Sequence, residues 1–139
     1  MQAKLDLTTT PSSEDVEAIV RGLNGHSAEM GRPTEWAPLH IRLTNDTGAP
    51  IGGLAGITAY EWLHIRLLFV PQELRGQGWG TKLVELAEEH ARAKGCVGAW
   101  LDTFEHQAPR FYEKLGYSEF GRIEGHPPGS RRYFFQKRF

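Results

Sequence analysis

With 139 residues, 40% of them hydrophobic and 24% charged, the chain has the length and composition of one globular domain, neither fibrous nor disordered. Lysine and arginine nearly balance aspartate and glutamate, for a net charge of −1, so no broad basic field draws nucleic acid or an anionic membrane. The single cysteine, Cys96, excludes an internal disulfide; the first ten residues lack the apolar core of a secretory signal, and no apolar run approaches the ~20 residues of a spanning helix. A soluble, cytoplasmic protein is expected.

In chain order, residues 3–9 carry a weak strand pattern. Pro11-Ser12-Ser13 then offers a helix start, because a serine oxygen can accept from the first free N–H groups. Val16, Ile19, Val20 and Leu23 follow at helical spacing, and Asn24-Gly25 supplies a stop. Residues 26–36 have no clear period and leave a short helix or a loop open. From Pro38 the period becomes two: Leu39, Ile41 and Leu43 alternate with His40, Arg42 and Thr44 before an Asn45-Asp46-Thr47-Gly48 turn. A second strand over about 51–60 is thinned by glycines, and a third, over 62–70, is the strongest in the chain. Strict alternation along it puts Leu63, Ile65, Leu67 and Phe69 on one face and His64, Arg66, Leu68 and Val70 on the other. A helix near 81–94 bears Leu83, Val84, Ala87 and Ala91 on one side. A strand over 97–103, a short helix over 108–115 and strands over 117–124 and 131–137 follow. The order β-α-βββ-α-β-α-ββ predicts one α/β domain (mixed α+β) over 1–139, with a mixed central sheet of six to seven strands flanked by helices.

The segment Arg75-Gly76-Gln77-Gly78-Trp79-Gly80 joins the strongest strand to a well-patterned helix. A helix amino terminus presents unpaired N–H groups and a positive dipole end, which attract phosphate. Glycines let the backbone come close and adopt positive φ. A lone Gly-x-Gly is as readily a tight turn, but three glycines at alternate positions before a helix favour a phosphate cradle. The Walker pattern fails, since Gly80 is followed by Thr81-Lys82 and not by Lys-Ser or Lys-Thr. The dinucleotide fingerprint also fails in spacing, although Asp102, at a strand end some twenty residues on, mimics its acidic residue.

The loop resembles the signature of the GNAT acetyltransferase superfamily: Arg or Gln, two residues, Gly, one residue, then Gly or Ala. Arg75, Gly78 and Gly80 fill those places. Upstream, Leu67-Leu68-Phe69-Val70-Pro71 looks like the family's cofactor-facing strand. Downstream, Ala108-Pro109-Arg110-Phe111-Tyr112-Glu113-Lys114-Leu115-Gly116-Tyr117 is similar to its Ala-x-x-Phe-Tyr-x-x-x-Gly-Phe segment. Together the motifs cover residues 62–117. Glu105 departs from the pattern at a place where many members carry asparagine.

The resemblance implies direct transfer of acetyl from acetyl-CoA to a primary amine of a small molecule or peptide, with no metal. It implies that Leu68, Phe69 and Val70 meet the pantetheine arm, that Arg75, Gly76, Gln77, Gly78, Trp79, Gly80 and Thr81 hold the pyrophosphate, and that Phe104 lines the cofactor. It makes Tyr112 both a cofactor contact and the acid for the departing thiolate; a phenol near ~10 and a thiol near ~8.5 can share a proton. The plainer role for Tyr112 is packing of the short helix. His64 is the candidate base, since imidazole titrates near neutrality, with Glu61 as the alternative; a surface histidine on a half-exposed strand stands as the plainer reading. The other histidines show no metal-ligating spacing. The aromatic ending, Tyr133-Phe134-Phe135 with Phe139, suits core or a homodimer surface. Two rival functions remain: a coenzyme A-sensing module without turnover, and a dinucleotide-binding oxidoreductase.

Overall fold

The computed structural model describes residues 1–139. Its elements run α1 (Ser13–Glu29), β1 (Ala37–Thr44), β2 (Pro50–Ala59), β3 (Trp62–Phe69), α2 (Trp79–Ala93), β4 (Gly98–Phe104), α3 (Pro109–Lys114), β5 (Ser118–Glu124) and β6 (Arg131–Arg138). They fall into two compact units, Met1–Thr34 and Glu35–Phe139. No helix is long and apolar enough to cross a membrane.

In the first unit, Ser12 caps α1 through a reciprocal box: its hydroxyl accepts from Asp15 N at 3.3 Å, and the Asp15 carboxylate accepts from Ser12 N at 2.7 Å. Two expectations are corrected here. Residues 3–9 form no strand, because no neighbouring strand pairs with them, so the sheet has six strands, within the six to seven expected. The helix also runs through the expected stop at Asn24-Gly25 to Glu29, taking in the first part of the segment left open between helix and loop. Asn and Gly are weak helix formers, costing up to ~1 kcal/mol each, which the continuing hydrogen-bond ladder overrides. The stop comes at Met30, followed by Gly31 at φ 73°.

The second unit is a six-stranded sheet ordered β1-β2-β3-β4-β6-β5. Only the β3–β4 pair is parallel; all others are antiparallel. Asn45 shapes the first hairpin, its Oδ1 accepting from Thr47 N, Thr47 Oγ1 and Ala49 N at 2.8–3.0 Å. The second turns on Tyr60 and Glu61, both at positive φ, the geometry that two-residue hairpins prefer. The apolar side of α2 (Leu83, Val84, Ala87, Ala91) joins Leu54, Leu63, Ile65, Leu101 and Phe135 in one buried core. Each large aliphatic there contributes about 1.5–3 kcal/mol by leaving water.

One irregularity in this sheet positions the site. β2 and β3 stay in register from Ala59↔Trp62 to Gly56↔Ile65, after which Ala55 pairs with Leu67. Arg66 is therefore an extra residue, a β-bulge. The bulge shifts the side-chain alternation by one and corrects the strict two-residue period expected from sequence. Leu68 and Val70, not Leu67 and Phe69, pack against the core with Leu63 and Ile65. Leu67 and Phe69 are instead 71% and 55% exposed.

Candidate active site

Beyond the bulge β3 loses its second neighbour. The parallel pairing of β3 with β4 ends at Ile65↔Leu101, although both strands continue for several residues. The gap opens into a cleft of about 950 Å³, lined along one wall by Arg66 to Val70, along the other by Leu101, Asp102 and Thr103, and closed by the glycine loop and α3. Backbone N–H and C=O groups on the β4-facing side of β3 have no strand to pair with there, so an extended ligand can serve as one.

The floor of the cleft is the amino terminus of α2. Gly78 is its N-cap, at φ 85° with no side-chain cap, and no acidic residue occupies the first turn. The first intrahelical bond runs from Lys82 N to Gly78 O at 3.1 Å, leaving the N–H groups of Trp79, Gly80 and Thr81 without helical acceptors. Gly76 and Gly78 both hold positive φ and border open space, while a Cβ on Gly80 would stand 3.1 Å from the Phe111 ring. The first two glycines thus shape an anion cradle and the third lets α3 approach. Arg75 braces the loop, its Nε donating to Val70 O at 3.0 Å.

Tyr112, on α3, lines the same cleft and is otherwise buried, 8% exposed, among Phe111, Tyr117 and Phe135. Burial, with a smaller contribution from the Asp102 charge, pushes its pKa up to about 12. The phenol therefore keeps its proton throughout the neutral range and is a weaker acid than a free phenol.

The remaining expected site residues stand outside this lining. Gln77 donates from Nε2 to Glu73 O at 3.4 Å and shapes the loop from behind. Phe104 stacks on His106 and lies under Arg132, whose guanidinium is 5.0 Å from its ring. Glu61 lies in the β2–β3 turn, exposed, with its carbonyl accepting from Val97 N; that turn is at the end of β3 away from the glycine loop. His64 is stacked flat against Trp100 with Nε2 buried and unpartnered. Burial lowers its pKa; the Asp102 charge raises it in part and Arg66 lowers it further.

The cleft also contains Asp102, which the sequence singled out only as a mimic of a dinucleotide-site acid, and Gln107, which it did not single out. Asp102 is the one carboxylate in the lining, held by an ion pair from Arg132. Gln107 ties the end of β4 to α3, its carbonyl accepting from Phe104 N at 2.9 Å and Thr103 Oγ1 at 3.1 Å. Glu105, at the place of the family asparagine, instead faces Arg131 at 3.6 Å. The only sequence signal for Gln107 was its position directly before Ala108. No three His, Cys, Asp or Glu side chains gather where they could hold a metal ion.

Comparison with known proteins identifies the family to which this six-stranded sheet and its glycine-capped helix belong. Residues 14–117 match the model of the acetyltransferase (GNAT) family. The chain belongs to that family. It is 44% identical to an acetyltransferase of Agrobacterium fabrum over 96% of this chain and 97% of that one. It is 37% identical to the blasticidin-S acetyltransferase of Streptomyces morookaense, over 74% and 79% of the two chains. Among solved structures it resembles a crystal structure of an Agrobacterium tumefaciens protein described as an acetyltransferase, with a TM-score of 0.91 and 36% identity across 99% and 100% of the two chains.

Proposed function

We propose that this chain transfers an acetyl group from acetyl-CoA to a primary amine of a small molecule or peptide, without a covalent enzyme intermediate. The observation that carries the reading is the cleft itself: an unpaired strand edge, an uncapped helix amino terminus and a protonated tyrosine share one opening.

The residues present fit this cosubstrate. The free N–H groups of Trp79, Gly80 and Thr81, with the open space over Gly76 and Gly78, suit a pyrophosphate. The unpaired edge of Leu67 to Val70 suits the amides of a pantetheine arm, and an N–H in that stretch can hold the charge that develops on an acyl oxygen. Bound acetyl-CoA supplies the acetyl thioester, and its sulfur leaves as a thiol. Tyr112 delivers the proton that this thiol needs. Of the two candidate bases, His64 stands closer to the opening than Glu61. Its lowered pKa keeps it neutral near pH 7 and ready to accept a proton relayed by water, which must use the ring nitrogen other than the sealed Nε2.

Calorimetry with acetyl-CoA followed by a thiol-release assay over a panel of amines tests the reading. Micromolar or tighter binding (about −8 kcal/mol) and amine-dependent thiol release are expected. Binding without release from any amine would make the chain a coenzyme A sensor, and tighter binding of NAD than of acetyl-CoA would overturn the cofactor assignment.

A further inference from the structure

The mouth of the cleft holds two opposite charges that do not meet. Arg66 is the bulged residue of β3, and Asp102 is the first residue of β4 past its last pairing with that strand. Each directly follows a member of the final pair, Ile65 and Leu101, so in an unbroken ladder they would be cross-strand neighbours, where opposite charges favour contact. Instead Asp102 takes its partner from β6, Arg132 binding its Oδ2, and Arg66 is exposed with no ion pair at all. Both line the cleft. The Asp102 carboxylate keeps a second oxygen for another donor, and the Arg66 guanidinium offers a flat fork of N–H groups suited to a planar acid.

Building on the acetyltransferase reading, we infer that the acceptor carries an acidic group a few bonds from its reacting amine, as an amino acid does: Asp102 takes the ammonium and Arg66 the acid. A ligand with both charges satisfies both side chains at once. An amine without the acid leaves Arg66 facing the ligand unpaired. Leu67 and Phe69, exposed together on the face of the strand end turned away from the core, offer an apolar surface for the remainder of the acceptor.

Three matched pairs test this: tryptophan with tryptamine, histidine with histamine, and lysine with cadaverine. Each is titrated calorimetrically into protein saturated with coenzyme A and assayed for thiol release with acetyl-CoA. At least one amino acid should bind, and its kcat/KM should exceed that of its decarboxylated partner by about tenfold or more. Arg66→Gln should reduce this preference to about threefold or less, through the KM of the amino acid alone. Asp102→Asn should raise KM about tenfold for both members of the pair while acetyl-CoA affinity holds, and Asp102→Glu, which keeps the charge, should recover part of the loss. Equal use of both members, an equal loss of both in Arg66→Gln, or no binding and turnover by any of the six would overturn the inference. Failure of the underlying acetyltransferase reading shows separately, as absent acetyl-CoA binding before any amine is added.

Discussion

His64 lies flat on Trp100, with ring centroids 3.7 Å apart and planes 8° from parallel. The two come from adjacent strands in direct register, so the sheet itself sets the stack. Nε2 is buried there without a hydrogen-bond partner, which makes a charged imidazole costly. The consequence for stability has a definite sign. The unfolded chain binds a proton at this histidine near pH 6.5, the folded chain only at lower pH. Stability from this group is complete above about 6.5 and falls as pH drops through the folded value. His64→Gln, which cannot titrate, should flatten that part of the pH dependence in chemical denaturation measured between about pH 7 and 4.5. An unchanged slope would place the acid sensitivity elsewhere.

The same histidine makes a kinetic prediction. If neutral His64 accepts the amine proton through water, His64→Ala loses most at acidic to neutral pH, where free amines hold their protons. The deficit shrinks at alkaline pH. Profiles offset by a constant factor, measured on one good acceptor, would assign His64 the task of supporting Trp100 and the neighbouring Asp102.

Tyr112→Phe should lower turnover by about ten- to a thousand-fold and leave acetyl-CoA affinity within about threefold, since the ring packs as before and only the donor is lost. With its pKa near 12, the wild-type phenol should show no loss of activity from its own ionisation up to about pH 10. Calorimetry and pH–rate profiles separate the outcomes: weaker cofactor binding with normal turnover at saturation makes Tyr112 a wall of the pocket.

Gly78→Val tests the cradle. The position needs φ 85°, which a β-branched residue resists by more than ~1 kcal/mol, and its Cβ would enter the open space above the α2 amino terminus. Acetyl-CoA affinity should fall by about tenfold or more, read by calorimetry, while Gly22→Ala in α1 leaves it unchanged. Equal affinity in the valine variant would move the anion site away from the loop.

Much of this architecture could be read from residue patterns because the patterns are local. The period-two run of Leu39, Ile41 and Leu43, the heptad-like face of α2 and the glycine loop each act over a few residues. The bulge at Arg66 could not be read that way. It exists because of the register between β2 and β3, and it moves Leu67 and Phe69 to the open side although their composition suits a core. The role of Asp102 was hidden for the same reason. Its partner Arg132 is thirty residues away in sequence, and the gap it faces is created by the strand that β4 stops pairing with. At residues 3–9 alternation alone suggested a strand, but a strand also needs a neighbour.

Glu88 offers the clearest test of what holds α2 and the closing strands together. It is 3% exposed, yet fully satisfied: Tyr117 donates its hydroxyl at 2.7 Å, Lys137 donates at 3.0 and 3.1 Å, and Arg92 stands at 3.8 Å. The carboxylate thereby joins α2 to β6 and to the residue just before β5, and Tyr117 in turn packs edge-on against Tyr112, 6.1 Å away. Removing one member of a buried ion pair costs about 3–5 kcal/mol, because the other charge is left without compensation. Lys137 is 23% exposed and can turn toward water, so Glu88→Ala should fall near the low end, about 3 kcal/mol, or roughly 10 °C in Tm for a domain of this size. Glu88→Gln should cost less, since the amide still accepts from Tyr117. The double change Glu88→Leu with Lys137→Met should recover much of the loss by replacing the pair with apolar contacts. Thermal unfolding of the four proteins decides the matter. If Glu88→Ala shifts Tm by no more than an exposed substitution does, the cluster does not hold α2 to β6.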